Sequence, residues 1–151
     1  MTNEELKQEL STLSPSVTFD ETGKMLTTIV APEDFLNLMQ QLRQTPSLYF
    51  DYLFCLTCVD WKDHFMMVYH LESKTHGHTL VVKSKLPDRE NASIETVCSI
   101  WRTAEFHERE VYDLFGVKFL NHPDLRRLFL DEDWQGYPLR KDYKDDNMIE
   151  L

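Results

Sequence analysis

The chain has 151 residues, 42% of them hydrophobic and 12% aromatic, and 26 acidic against 16 basic side chains give it a net charge of −10. This length and composition are typical of one globular domain with a buried core and exclude an intrinsically disordered chain. The strong negative charge repels phosphate backbones, so we expect no nucleic-acid binding. The longest apolar run, YLFCLTCV, is too short to cross a bilayer, so any membrane association is expected to run through a partner.

The amino terminus and the cysteines favour a reducing, cytosolic compartment. The sequence MTNEELKQEL is acidic and amphipathic, whereas a secretory leader has basic and then apolar residues. The three cysteines are odd in number and lie in apolar stretches, as free buried thiols do. We therefore expect a cytosolic protein without a disulfide framework.

The first half of the chain predicts two helices, a hairpin and a three-stranded meander. Asn3 is a suitable cap for a short helix through Leu10, and SVTFDETGKMLTTIV alternates around Gly23 as a β-hairpin does. Pro32 can open a second helix, which Pro46 ends. The stretches YFDYLFCLTCVDW, FMMVYHLES and HTLVVKSKL alternate with a period of two, which predicts three antiparallel strands.

A long helix is predicted next, from a cap at Ser93 to a stop at Gly116. Glu105 and Glu108 fall inside the apolar stripe of this helix. A buried carboxylate needs a partner, because its desolvation is costly. Arg109 can pair with Glu105 at a spacing of four residues, whereas Glu108 needs a donor from elsewhere in the chain.

Beyond Phe119 the sequence loses its periodicity. Pro123, Gly136 and Pro138 interrupt it too often for a long helix or a regular strand, and we expect at most one helical turn, from Pro123 to about Phe129. The segment is nevertheless rich in aromatic residues, with too much apolar surface for a solvated tail. It is predicted to be an extended arm that lies on another surface.

Together these elements predict an α+β fold: a two-layer domain with helices packed on a mixed or antiparallel sheet, and an extended C-terminal arm. Residues 1–119 would form the core domain, including the long helix. Residues 120–151 would form the arm, which would dock on partner subunits and is not an independent domain.

Two groups of residues have part of the chemistry of a metal site. Cys55 and Cys58 have the spacing of a redox or zinc half-site, but cysteines three apart on a strand point to opposite faces of the sheet. His70, His76 and His78 cluster around one predicted hairpin, and His76 and His78 would share a sheet face. They are more typical of an exposed hairpin than of a dedicated zinc site, because the spacing fixes no acidic or sulfur ligand nearby.

A third group has the components of acid–base catalysis. Its members are His107, Glu108, Glu110, Asp113 and His122. On a helix Glu108 and Glu110 point about 200° apart, so they are not a carboxylate pair facing one substrate. No phosphate loop, nucleophile elbow or HExxH pattern occurs in the sequence. A freestanding acid–base or metal-dependent enzyme built on these residues stays open as a third hypothesis, after the two given below.

Two basic pairs lie in the arm, Arg126 with Arg127 and Arg140 with Lys141. Each pair is next to aromatic residues, in a segment without evident cover from the rest of the chain. Because the planar guanidinium suits carboxylates at interfaces, we expect these pairs to dock against a protein surface.

The segment EREVYDLFGVKFLNHPDLRRLFLDEDWQGYPLRKDY closely resembles the signature of the C subunit of respiratory NADH-quinone oxidoreductase, the NuoC family. The match is dense from Glu108 to Tyr143 and looser before it, where TCVDW and MVYHL are similar. Asn121 stands where family members often have glycine, and asparagine tolerates a left-handed backbone. The signature positions in this chain are Glu108, Arg109, Glu110, Asp113, Leu114, Phe115, Gly116, His122, Pro123, Asp124, Leu125, Arg126, Arg127, Trp134, Gly136, Pro138, Arg140, Lys141 and Asp142.

The resemblance implies a non-catalytic scaffold subunit in the peripheral arm of a proton-translocating NADH-quinone oxidoreductase, on the cytoplasmic side of the cell membrane. It implies no catalytic, metal or cofactor-binding residues in this chain, with FMN, iron–sulfur clusters and quinone bound by partner subunits. The implied partners are the D subunit, near the quinone site, and the cluster-bearing B and I types. Contact with the membrane would be indirect, through the complex.

The signature positions are accordingly expected to be structural and to form the partner interface. Glu108 and Arg109 would join a buried ion-pair network, and Arg126 and Arg127 would anchor the arm to a partner. Related chains occur in energy-converting membrane-bound hydrogenases and in other complexes of complex I ancestry. The alternative is therefore the equivalent component of such a hydrogenase or of another donor:quinone oxidoreductase. This chain does not distinguish the two, because other subunits would react with the electron donor.

Overall fold

A computed structural model describes residues 1–145 and has three helices and seven strands in this range. The helices are α1 (Asn3–Leu13), α2 (Pro32–Gln44) and α3 (Ala104–Phe115). The strands are β1 (Thr18–Asp20), β2 (Thr27–Ile29), β3 (Tyr52–Asp60), β4 (Phe65–Glu72), β5 (Thr79–Leu86), β6 (Ser93–Glu95) and β7 (Lys118–Leu120). The predicted α+β class is confirmed. The end of the predicted arm, 146–151, lies outside the described residues.

Five strands form one mixed sheet in the order β1-β2-β5-β4-β3. The hairpin β1–β2 and the meander β3–β4–β5 are antiparallel, as their alternating sequences predict. Strand β2 runs parallel to β5, with Thr28 opposite Val82. This pair makes the sheet mixed, and it joins segments too distant in sequence for local alternation to reveal.

Helix α2 packs its apolar stripe on the sheet. Phe35, Leu38, Met39 and Leu42 recur at the predicted helical spacing and are completely buried. The Phe35 ring lies against Tyr69 of β4, with 4.9 Å between the ring centroids. Full burial of each such side chain stabilises the fold by about 1.5–3 kcal/mol. Helix and sheet are therefore held together by apolar contacts.

The start of α1 differs by one residue from the prediction, because Thr2 rather than Asn3 is the N-cap. The Thr2 hydroxyl accepts a hydrogen bond from the Glu5 N–H, and the Glu5 carboxylate accepts one from the Thr2 N–H. This capping box satisfies two of the N–H groups that a helix leaves free at its start. Asn3 is thus the first helical residue, and the helix continues to Leu13 instead of ending at Leu10.

The prediction of one long helix from Ser93 to Gly116 is wrong in its first half. Ser93 begins strand β6, which pairs in parallel with β7 in a separate two-stranded sheet. Helix α3 begins only at Ala104, and it ends as predicted before Gly116. Between strand and helix, the Trp101 indole N–H donates to the Phe50 carbonyl at 2.9 Å. The segment is thereby tied to the chain just before β3, so a tertiary contact overrides the apparent helical spacing.

After Leu120, which ends β7, the described part of the arm has no helix or strand, and the helical turn predicted from Pro123 to Phe129 is absent there. Asn121 has a left-handed backbone with φ 66°, as expected for a position often occupied by glycine. No helix within residues 1–145 is both long and apolar enough to span a membrane.

Candidate partner interface

The arm lies against α3 and the end of β3. The Leu139 N–H donates to the Leu114 carbonyl at 3.0 Å, and Arg140 Nε donates to the Phe115 carbonyl at 2.6 Å. These bonds use carbonyl groups that the end of a helix leaves without partners. The expectation that the arm has no cover from its own chain is therefore wrong for its inner side.

Asp113 of α3 is completely buried and binds the middle of the arm. One carboxylate oxygen accepts a hydrogen bond from Arg127 Nη1 at 3.1 Å. The other accepts from three consecutive backbone N–H groups, those of Leu128, Phe129 and Leu130, at 3.3, 2.7 and 3.1 Å. Consecutive N–H groups that converge on one oxygen form an anion-binding nest. The negative charge is thus paired and hydrogen-bonded, which makes its burial tolerable.

Arg127 links two parts of the arm to each other as well as to α3. Its Nη2 donates to the carbonyls of Trp134 and Gly136, both at 3.1 Å. Its guanidinium also lies 5.1 Å from the centre of the Tyr137 ring. The side chain is only 7% exposed. The charge of Arg127 is therefore used inside the chain.

Arg109 holds the arm through backbone carbonyls rather than through a carboxylate. Its Nε donates to the Arg126 carbonyl at 3.2 Å and its Nη2 to the Arg127 carbonyl at 3.1 Å. The predicted ion pair with Glu105 is not present among residues 1–145. The Arg126 side chain differs from that of Arg127, since it is 62% exposed and pairs with Asp124 at 3.0 Å.

Gly116 ends α3 at the point where the arm passes over it. Its φ of 80° lies in the left-handed region, which favours glycine. An added Cβ would lie 2.7 Å from both Arg140 Nη2 and the Tyr137 ring, closer than atoms can approach. The Arg140 guanidinium also lies 5.2 Å from the centre of the Phe65 ring. Glycine is therefore required at position 116 for two reasons: the left-handed backbone, and the close packing of Arg140 and Tyr137 of the arm.

Asp60 and Arg89, which the sequence analysis missed, hold the far end of the arm. The Asp60 carboxylate is nearly buried, pairs with Arg89, and accepts hydrogen bonds from the Lys62 and Lys141 N–H groups, both at 2.8 Å. Arg89 pairs in addition with Asp142 at 3.0 Å. Burial raises the pKa of Asp60, but the hydrogen bonds from Lys141, Lys62 and Arg89 outweigh it and bring the pKa below its ordinary value.

A signal for Asp60 was present in the strand pattern. Leu56, Cys58 and Asp60 alternate on the buried face of β3. An acidic residue in phase with buried apolar ones requires a partner from elsewhere. Arg89 gave no comparable signal, because it lies in a turn 29 residues away.

Glu108 is a second buried carboxylate, on a different side of α3 from Asp113. It accepts hydrogen bonds from the Thr96 hydroxyl, from the Cys98 thiol at 3.0 Å and from the Val97 N–H at 3.1 Å. His122 Nε2 lies 3.9 Å from its Oε1. The prediction that Glu108 needs donors from elsewhere is confirmed. Burial raises the pKa of Glu108 above its ordinary value, although these hydrogen bonds oppose the rise.

The predicted acid–base group is not brought together in one site. Glu108 and His122 lie close together, whereas Asp113 lies in a separate cluster. Arg109 donates to carbonyls of the arm and not to Glu108, so the expectation that Glu108 and Arg109 share one ion-pair network is wrong. Glu110 is half-buried, and its side chain forms no hydrogen bond or ion pair within residues 1–145. His107 is half-buried as well.

The other two predicted groups have structural contacts. His76 and His78 stack with 5.5 Å between their ring centres, and their Nε2 atoms donate to backbone carbonyls at 2.8 and 2.7 Å. Burial raises the pKa of the Cys58 thiol to about 12, and Cys55 is half-buried. Among the described residues, the one group of three possible metal donors is Cys98, Glu108 and His122, whose donor atoms lie within 4.8 Å of one another.

The outer side of the arm exposes large apolar side chains. Phe129 is 66% exposed, Leu139 52% and Trp134 39%. The backbone N–H groups of Phe129 and Leu139 are bound inward, to Asp113 and Leu114. The hydrogen bonds on the inner side thus fix the backbone that presents these side chains to solvent.

The α+β fold of the chain is similar to that of a chain from a respiratory membrane complex. It superimposes on a chain of the membrane-bound sulfane sulfur reductase, an archaeal respiratory membrane complex, with a TM-score of 0.80 and 26% identity. The match covers 93% of this chain and 85% of that chain. Residues 28–147 match the family described as the 30 Kd subunit of respiratory-chain NADH dehydrogenase. The chain belongs to this family, which confirms the resemblance found in the sequence.

Curated relatives agree with this assignment. A fused C/D subunit of NADH-quinone oxidoreductase from Phocaeicola vulgatus is 48% identical over 106 residues, which cover 70% of this chain and 20% of the relative. A C subunit of the same enzyme from Chlorobium phaeobacteroides is 47% identical, over 68% of this chain and 63% of the relative. The C subunit from Geotalea uraniireducens is 44% identical, over 78% of this chain and 72% of the relative. The chain thus spans only part of the length of these relatives.

Proposed function

We propose that the chain is the C subunit of a proton-translocating NADH-quinone oxidoreductase. In this role it is a non-catalytic scaffold of the peripheral arm that packs against the D subunit near the quinone site and supports electron transfer from NADH to quinone. FMN, iron–sulfur clusters and quinone would be bound by partner subunits, including the B and I types. The complex would hold the chain on the cytoplasmic side of the membrane.

The observation that carries this proposal is the two-sided arm. Its inner side is bound to α3 through Asp113 and Arg127, while its outer side presents Phe129 and Leu139 to solvent. Aromatic side chains with a fixed backbone are typical anchors of protein interfaces, because little conformational entropy is lost on binding. The fused C/D relative supports the D subunit as the partner, since both names belong to one chain.

A second candidate is the equivalent component of an energy-converting membrane-bound hydrogenase or of another donor:quinone oxidoreductase. The likeness to a chain of a sulfane sulfur reductase complex favours it, because that complex is named for a different activity and has a similar chain. The donor chemistry would reside in other subunits in either case.

Isolation of the chain from its native host in mild detergent, followed by mass spectrometry, distinguishes the candidates. The D subunit, cluster-bearing subunits and an NADH-oxidising module should co-purify under the first proposal. Nickel-site subunits in their place would favour the hydrogenase. Recovery of the chain alone would contradict both, and turnover of a substrate by that lone chain would establish the freestanding enzyme.

A pair of single variants tests the outer side of the arm. Phe129→Ala removes an exposed ring but keeps the N–H group that binds Asp113. We expect it to weaken binding to the D subunit by about 2 kcal/mol, roughly 30-fold in Kd, without loss of stability. Trp61→Ala is the matched control, because Trp61 is 57% exposed outside the arm. Equal effects of the two variants on binding would contradict the proposed interface.

A further inference from the structure

We propose that Cys98, Glu108 and His122 form a binding site for one zinc ion at the root of the arm. This inference goes beyond the scaffold function, which requires no metal, and it departs from the expectation that the chain holds none. The three residues come from the turn before α3, from α3 itself and from the first residues of the arm. A bound ion would therefore join three segments at one point.

The positions of the donor atoms fit a tetrahedral ion. Glu108 Oε1 lies 3.0 Å from Cys98 Sγ and 3.9 Å from His122 Nε2, and all donor atoms lie within 4.8 Å of one another. Zinc binds sulfur at about 2.3 Å and nitrogen or oxygen at about 2.0–2.1 Å, which separates the ligands of a tetrahedral site by about 3.3–3.5 Å. The observed separations lie on both sides of this range, so small side-chain movements close the site.

The charges favour a divalent ion in this cluster. The Glu108 carboxylate is completely buried, and within residues 1–145 no lysine or arginine pairs with it. The neighbouring Arg109 donates to carbonyls of the arm instead. A divalent ion bound by one thiolate and one carboxylate makes a neutral group, which is less costly to bury than a carboxylate alone.

Zinc binding would release one proton, from Cys98, and move one proton between the ring nitrogens of His122. The Cys98 thiol, which now donates to Glu108, would release its proton to solvent and bind as thiolate. His122 Nδ1 now accepts from the Asp124 N–H at 2.9 Å, and Nε2 donates to the Glu105 carbonyl at 3.1 Å. To bind zinc through Nε2, the ring must move its proton to Nδ1. The Asp124 N–H would then bond to water, which it can reach because Asp124 is exposed.

A cavity borders the proposed site, and outer contacts already orient one of its ligands. This cavity of about 450 Å³ is lined by Cys98, Thr96 and Asn121, among others, and it is the side from which an ion would approach. The Thr96 hydroxyl and the Val97 N–H hold the Glu108 carboxylate in place, as outer contacts do in metal sites. A thiolate, an imidazole and a carboxylate together select zinc over magnesium or calcium.

The test uses the full chain without an affinity tag, titrated with zinc and separately with cobalt(II). We expect one zinc per chain that resists dialysis against a weak chelator. Cobalt should give the near-ultraviolet thiolate-to-metal absorption and the strong visible bands of a tetrahedral site. Cobalt spectra without the thiolate absorption would overturn the proposal, whatever the variants do.

Two serine variants locate the ion. Cys98→Ser should abolish the tightly bound zinc, whereas the control Cys55→Ser, at a half-buried cysteine of β3, should retain it. Circular dichroism confirms that both variants are folded. Zinc that survives Cys98→Ser would be bound elsewhere, for example by the stacked His76 and His78, and would also refute the site.

Discussion

The α2–sheet core and the arm differ in the forces that hold them. In the core, completely buried side chains such as Phe35 and Tyr69 meet through their rings. In the arm, charged side chains make many of the contacts to the rest of the chain, among them the Asp113–Arg127 pair and the bonds of Arg140 and Asp60 to backbone groups. Apolar burial fixes the first region, and a network of charges fixes the second.

This difference predicts different responses to substitution. An apolar core tolerates changes that conserve volume, because its stability is the sum of many weak contacts. A buried charge network depends on each member, since removal of one partner leaves the other charged and buried. Damage in the core should therefore spread through the domain, and damage in the network should first release the arm.

The largest effect is expected from Phe35→Ala. Loss of a completely buried ring should lower the free energy of unfolding by about 3–5 kcal/mol. Urea unfolding followed by circular dichroism measures it. Phe106→Ala, at a ring that is 57% exposed on α3, is the control and should change stability by less than about 0.5 kcal/mol. Equal effects would contradict the assignment of the core.

Asp113→Asn should come next, at about 3 kcal/mol, because it leaves the Arg127 charge without its buried partner. The loss should be local. Hydrogen exchange should become fast at Leu128, Phe129 and Leu130, while the amides of β4 stay protected. Simultaneous loss of protection in both regions would show that the arm and the core are one cooperative unit. Asp124→Asn, at a side chain that is 49% exposed, serves as the control.

Gly116→Ala and Gly77→Ala together separate two effects, the strain of a left-handed backbone and the steric clash with the arm. Both glycines have left-handed φ angles, 80° and 75°, but an added Cβ meets atoms of the arm only at Gly116. Gly77→Ala should cost about 1 kcal/mol, and Gly116→Ala about 2–3 kcal/mol, because Arg140 and Tyr137 must move as well. Thermal or urea unfolding measures the difference. Equal costs would mean that the arm adapts freely around α3.

The smallest effect concerns the pH dependence at Asp60. Its pKa is lower in the folded chain than the ordinary value of 3.8, so the folded state binds this proton less tightly. The resulting stability is fully present above the ordinary pKa and is lost as pH falls through the lowered one. Asp60→Asn should therefore reduce the loss of stability between about pH 5 and pH 2. Urea midpoints that fall in parallel for both proteins would contradict this role.

The core was predictable from the sequence because its signals are local. Phe35, Leu38 and Leu42 repeat at the period of a helix, and the strands of the meander alternate with a period of two. The sequence signature contains both Asp113 and Arg127, but it did not predict the pair that they form in the structure.

What the sequence did not reveal depends on contacts between distant residues. The spacing of Ile94, Val97 and Trp101 imitates a helix, but the hydrogen bond of Trp101 to Phe50 and the pairing of β6 with β7 decide the structure. The arm was expected to lie only on a partner. No local pattern in the sequence shows that three backbone N–H groups of the arm would donate to Asp113. Residue types alone did not distinguish Arg126 from Arg127.

The most direct test of a two-sided arm compares Arg126→Ala with Arg127→Ala, by hydrogen exchange of the arm with and without the D subunit. We expect Arg127→Ala to expose the arm amides in the free chain, because it breaks the pair with Asp113. Arg126→Ala should leave the free chain unchanged and weaken the protection that the D subunit adds. If Arg126→Ala has no effect on binding, and Arg127→Ala alters binding while the free arm stays protected, the assignment of inner and outer sides is wrong.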